Sequence, residues 1–144
     1  MRSNNARLPN LEDEGIPMRS FSIRTHKHTQ FLDITREVQS ALSDLGIKSG
    51  VVTVFVPHTT AGITINENAD PDVTADIADA LDKVVPWQAN YKHCEGNAAA
   101  HVKASMMGSA VQVIVEDGRL QLGTWQAIYF CEFDGPRSRN VWVR

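Results

Sequence analysis

An α+β fold is predicted, with mainly antiparallel, sandwich-like β-sheets and two or three covering helices. Three observations predict it. Two segments place apolar residues at three- and four-residue steps, the spacing of one helix face (Ile34, Val38, Leu42, Leu45 and Val73, Ile77, Leu81, Val84). Several runs of four to nine residues are apolar or alternate apolar with polar, the mark of strands. Asp117-Gly118 stands between two such runs, and that dipeptide favours a two-residue hairpin turn.

In chain order, Phe21, Ile23, Thr25 and Phe31 alternate with Arg24, His26 and His28, giving one or two half-buried strands. The first helix follows, with Thr35 as N-cap, Glu37 in its positive first turn and Gly46 as its stop. Val51–Val56 reads as a buried strand ended by Pro57, and the polar run from His58 to Asp70 as a loop. The second helix takes Asp72 as cap and Pro86 as stop, and Asn97–Met107 is a third, closing at Gly108. Four strand-like runs remain: Ala110–Glu116, Arg119–Leu122, Trp125–Phe133 and Asn140–Val143, with Asp134-Gly135-Pro136 as the turn before the last.

The chain has 144 residues, enough for one domain, placed over 18–144 behind a polar tail over 1–17. That tail has no apolar core of the kind a signal peptide needs. Fourteen basic against seventeen acidic side chains argue against nucleic acid as the main partner and against a polybasic membrane anchor. No apolar run approaches the ~18 residues of a membrane span. Two cysteines, Cys94 and Cys131, form no CxxC pair and read as reduced thiols, so the expectation is a cytoplasmic protein.

Candidate chemistry gathers in three places. The first is His58-Thr59-Thr60 together with Asn66, Glu67 and Asp70, in what reads as a loop behind a rigid strand. The alternative for Asp70 and Asp72 is helix capping. The second is His93-Cys94-Glu95-Gly96-Asn97 with His101; Asn97 and His101, four apart, share a helix face, although an N-cap role also explains Asn97. Lys103 lies on another face, toward solvent. His58, His93 and His101 can make a zinc-type site with an open fourth position, or serve as general acids and bases. The third is Thr124-Trp125-Gln126, where a regular strand points Trp125 and Gln126 to opposite faces. Arg119, Arg137 and Arg139 are candidates for binding an anion, with ordinary surface charge as the plain alternative.

Four ordered strings, VPHTTAGITINENADPDV (56–73), YKHCEGNAAAHVKASMMGSAV (91–111), EDGRLQLGTWQ (116–126) and FDGPRSR (133–139), resemble the YjbQ-like family, often labelled secondary thiamine-phosphate synthase. The likeness runs over residues 20 to 144. It implies a compact α+β sandwich-like fold assembled as a homotrimer, with polar pockets near subunit contacts. His58, Asn66, Glu67, Asp70, His93, Glu95, Asn97, His101, Thr124, Trp125 and Gln126 fall on the family's motif positions.

Three functions follow as expectations. One is a thiamine-phosphate-synthase-type coupling of an aminopyrimidine diphosphate to a thiazole phosphate. Its catalytic groups would be His58, Glu67, Asp70, His93 and His101. Its substrate-binding groups would be Thr59, Asn66, Glu95, Asn97, Thr124, Trp125, Gln126 and Arg137. The leaving diphosphate would be stabilised by Arg137, Arg139 or Lys103, or by a divalent cation on Glu67 and Asp70. The second is a metal-assisted hydrolase or phosphate-transfer enzyme holding zinc or magnesium through His58, His93 and His101. The third is a non-catalytic trimeric binder of a small phosphorylated metabolite.

Overall fold

The computed structural model describes residues 17–144; the expected tail therefore lies, apart from Pro17, outside the described residues. Eight strands and three helices are described, in the order β1 (Arg19–Arg24), β2 (Gln30–Asp33), α1 (Thr35–Leu45), β3 (Gly50–Phe55), β4 (Ala61–Glu67), α2 (Pro71–Val84), α3 (Ala98–Met107), β5 (Ala110–Glu116), β6 (Arg119–Leu120), β7 (Gln126–Glu132) and β8 (Ser138–Val143). They form two antiparallel sheets, one ordered β1-β8-β3-β5-β6 and one ordered β2-β7-β4. The α+β expectation holds.

The main core lies between the sheets. Val52, Val54, Val113, Val115, Val141 and Val143 of the larger sheet meet Ile63, Ile128 and Phe130 of the smaller, and α1 adds Val38, Ala41 and Leu42. Strand β7 is buried on both faces. Its alternate residues Ala127, Tyr129 and Cys131 turn away from that core and pack with Ala100 and Ala104 of α3. The small sheet is thus a middle layer, and α3 is held over one of its faces by apolar burial.

Local chemistry sets the element ends. Gly46 ends α1 in the left-handed conformation (φ +68°), its N–H bonding back to the last turn. Asp117 (φ +50°) and Gly118 (φ +72°) both take positive φ, as a tight hairpin turn requires. Thr35 is the first helical residue rather than the cap; its Oγ1 accepts from the Ile128 N–H at 3.0 Å and ties α1 to β7. Asp70, not Asp72, caps α2, accepting from the Asp72 N–H at 2.9 Å with Pro71 at the first helical position.

The largest departure from the sequence reading is β4. Ala61–Glu67 is not loop but a seven-residue strand paired along its whole length with β7, from Ala61 opposite Glu132 to Glu67 opposite Gln126. At ~3.3 Å per residue its ends stand about 20 Å apart, and this decides which candidate residues meet.

Lys103 departs as well. It is almost wholly buried and ion-paired to Asp82 of α2, so it is a tie between two helices rather than a solvent-facing cation. Trp125 sits in the turn that precedes β7 rather than in the strand, with the Gln126 N–H bonded to the Gly123 carbonyl.

Candidate active site

At the Ala61–Glu132 end of the β4–β7 ladder, a cavity of about 550 Å³ opens between the 57–60 segment, the start of α3 and the 134–139 turn. His58, Thr59, Glu95, Asn97, His101 and Arg137 all line it, together with Thr60, Ser109 and Arg139. His58 and His101 also line a second cavity of about 490 Å³ that continues along α3 past Ala104 and Ser105. Segments far apart in sequence therefore do converge.

The floor is a buried charge network. Glu132 and Arg139 are almost completely excluded from solvent. The Arg139 guanidinium donates to both Glu132 carboxylate oxygens and, at 2.8 Å, to Thr60 Oγ1. Thr25 Oγ1 donates to Glu132 Oε1 at 2.8 Å, and the Asp134 N–H donates to Oε2 at 3.2 Å. The pair's bonds to Thr60 and Asp134 reach the 57–60 segment and the turn before Arg137, which carry two of the cavity walls. Arg139 thus holds the 58–60 and 134–137 segments in register while it also lines the cavity. Arg119, in the β5–β6 hairpin, lies outside the cavity lining.

His58 is held by one bond that fixes its tautomer. Its Nε2 accepts a hydrogen bond from the Asn140 backbone N–H at 2.8 Å. A nitrogen that accepts from an amide carries no proton, so the neutral ring keeps its hydrogen on Nδ1 and offers a donor there. Burial, then the Arg139 charge, holds the His58 imidazole below its ordinary value, which favours this neutral form. His58 is therefore built to donate an N–H rather than to accept a proton or ligate a metal through Nε2.

His101 lies in the first turns of α3, and its ring meets that of His93 edge to face, with centroids 5.2 Å apart. His93 does not line the cavity: with Tyr91 and Val102 it lines an adjoining groove that His101 also lines, and its Nε2 is 3.6 Å from Glu95. Arg137 is half exposed, with Nε on the Asp134 carbonyl at 2.9 Å and one Nη on the Asp134 carboxylate at 3.0 Å; the other Nη has no partner among the described residues. Asn97 precedes α3 but does not cap it; its Nδ2 donates to Asp134 Oδ2 at 3.0 Å instead. The first N–H groups of α3 thus take no bond from that side chain, and they stand at the positive end of the helix.

The remaining candidates lie elsewhere. Asn66, Glu67 and Asp70, with Thr124, Trp125 and Gln126, gather at the opposite end of the ladder, where Glu67 pairs with Gln126 and the Asn68 N–H bonds the Trp125 carbonyl. None of them lines the His58 cavity of this chain. Gln126 turns its amide back onto the Gly123 N–H, Asp70 is spent on its cap, and Trp125 is 62% exposed.

The metal expectation finds no site within one chain. Among the described residues no three His, Cys, Asp or Glu side chains are gathered as a metal site. His58 has Nε2 engaged, His93 turns to another groove, and the carboxylates Glu67 and Asp70 are a strand length away. The residues of one chain do not fit a three-histidine zinc site or a carboxylate-held magnesium beside it. Cys131 is buried, its thiol pushed far above the usual range by desolvation, and Cys94 is exposed; neither lines the cavity.

Sequence reasoning gave no separate role to Thr60, Ser109 or Asp134. Thr60 directly follows His58-Thr59, but the partner that buries it, Arg139, is 79 positions on.

These features define a class: small α+β domains with a polar, histidine- and arginine-lined pocket at one end of an antiparallel sandwich. A model of the family described as "UPF0047 protein YjbQ-like" matches residues 19–144, and the chain belongs to that family. The UPF0047 protein YugU of Bacillus subtilis is 54% identical over 128 residues, covering 88% of this chain and 97% of its own. A Clostridium acetobutylicum crystal structure, described as an uncharacterized conserved protein of the yjbq/upf0047 family, is 59% identical, with a TM-score of 0.85 over 88% of this chain and 98% of that one. A conserved hypothetical protein from Thermus thermophilus gives 42% and 0.82 over the same shares. No helix among the described residues is long and apolar enough to cross a membrane.

Proposed function

We propose that the His58–Arg137 cavity holds the phosphate or diphosphate end of a small metabolite and that His101 moves a proton in the chemistry done there. The observation that carries this reading is the Asn140 N–H bond to His58 Nε2, which leaves His58 as an N–H donor in the cavity that Arg137, with its free Nη, also lines. Donors of this kind, next to the positive start of a helix, suit phosphate oxygens. Fewer carboxylates line the cavity than the sequence suggested, and this favours anion binding over a metal-assisted hydrolase.

The reaction to assay is the coupling of an aminopyrimidine diphosphate to a thiazole phosphate, as a secondary activity. The thiazole nitrogen forms a C–N bond as the C–O bond to the diphosphate breaks, and pyrophosphate leaves with the electron pair. Arg137 and the His58 N–H stabilise that departing charge, and His101 supplies a proton to it. Pyrophosphate release tests this directly. His101→Ala is expected to lower turnover at least ~100-fold, the lower end for loss of a general acid, and Arg137→Ala to raise KM. Unchanged turnover in His101→Ala removes the role given to that residue. Tight phosphate binding without product leaves the domain as a binder.

The homotrimer implied by the resemblance stays part of this reading, because a second copy gives Glu67 and Trp125 a route to the pocket. Mixed oligomers of His101→Ala and Glu67→Gln chains then recover part of the activity each lacks. No recovery leaves the two ends functionally separate.

A further inference from the structure

Asn97 Oδ1 is, among the described residues, the buried side-chain polar atom that has no hydrogen-bond partner. Such an atom has given up its bond to water and carries that desolvation cost unless something donates to it. Its orientation is fixed: Nδ2 donates to Asp134 Oδ2, and turning the amide over would set two acceptors against each other. Asn97 also stands before a helix, where its oxygen would ordinarily cap the first turn, and here it does not. The residue lines the same cavity as His58, His101 and Arg137, while the oxygen itself is closed to solvent, so a donor reaches it only as the neighbouring 92–96 segment shifts.

Resting on the phosphate reading above, we infer that Asn97 Oδ1 is the recognition point for a hydrogen-bond donor on the substrate. The ligand is then a phosphate ester that also carries a hydroxyl or amino group. His58 Nδ1–H and the free Nη of Arg137 can only donate, so they select the anion. Asn97 Oδ1 can only accept, so it selects the donor at the other end of the same molecule. The segment beside it has room to adjust: residues 92–96 are exposed, and at Gly96 (φ +80°) nothing lies within 4 Å of where a Cβ would stand. An unpaired acceptor at a site rejects the analogue that lacks the donor more strongly than a packing contact does.

Calorimetric titration with matched pairs tests this: glycerol 3-phosphate against propyl phosphate, and 2-aminoethyl phosphate against ethyl phosphate, with inorganic phosphate as competitor. In the unaltered protein the donor-bearing member of at least one pair binds about tenfold more tightly, equivalent to ~1.4 kcal/mol. In Asn97→Ala the ratio of affinities within that pair falls to about one. If inorganic phosphate competes but both pairs bind equally, the inference is overturned and the phosphate reading survives. If no phosphate compound binds, the phosphate reading fails and takes the inference with it. Equal binding within both pairs in the unaltered protein overturns the inference even where Asn97→Ala fails to fold.

Discussion

Replacing Arg139 by Met is expected to destabilise the fold by about 3–5 kcal/mol, the usual cost of stranding one partner of a buried ion pair. The reason is specific to this site. Glu132 lies on a strand buried on both faces and is itself fully enclosed. Without the guanidinium it keeps only the Thr25 hydroxyl and the Asp134 N–H as donors, too few for a carboxylate out of water. Thr60 loses its side-chain partner in the same step, so the segment that carries His58 is loosened as well. For a chain of this length the loss corresponds to a fall in Tm on the order of 10 °C, which thermal denaturation followed by circular dichroism reads directly. One control separates the stranded charge from a plain packing defect. A Glu132→Leu, Arg139→Met double variant should recover most of it, since apolar replacement of a whole buried pair is often neutral. A double variant no better than the single one makes packing the cause.

Gly62→Ala is expected to cost about 1–3 kcal/mol, the range for overpacking a filled interior. Gly62 lies in β4 under the end of α3, and a Cβ there would stand 2.9 Å from the Gly108 carbonyl oxygen and 2.9 Å from Met107 Cβ. Neither atom is the tip of a flexible chain, so relief requires α3 to move off the sheet. That movement carries His101 with it, and the variant is expected to lose phosphate affinity beyond what its stability loss explains. Calorimetry well below the unfolding transition checks the second half. Unchanged stability would mean that the helix floats on the sheet rather than being seated by the missing side chain.

Much of the fold was legible because local chemistry and tertiary structure agree. The Asp117-Gly118 hairpin, the Gly46 stop and the helix over 98–107 all follow from residues whose preferences are strong at those positions. Strand β4 was hidden because Gly62, Thr64 and Asn66 make the stretch look polar. Yet Ala61, Ile63 and Ile65 alternate with them at period two, and that signal was present. Gly62 is small because α3 presses on it, a reason that lies about 45 residues downstream. The same holds for the charges. Lys103 and Arg139 read as ordinary cations until Asp82 and Glu132 are brought beside them.

The site divided along the same line. His58, Glu95, Asn97, His101 and Arg137 were found by type and motif, and the structure brings them to one cavity. Glu67 and Asp70 were grouped with His58 only because they were taken to share a loop. A seven-residue strand separates them instead. His93 reaches His101 but not the cavity, an outcome that sequence spacing could not decide.

Nitrogen-15 NMR of the imidazoles bears on the point from which the rest of the site follows, the donor character of His58. The expected spectrum shows His58 as the neutral Nδ1–H form at neutral pH, staying neutral on acidification below the usual histidine midpoint of about 6.5. Added inorganic phosphate is expected to shift the His58 and His101 resonances together, over one binding curve. A His58 protonated on Nε2, or a phosphate titration that leaves both rings unmoved, would rule out an anion pocket built on that donor.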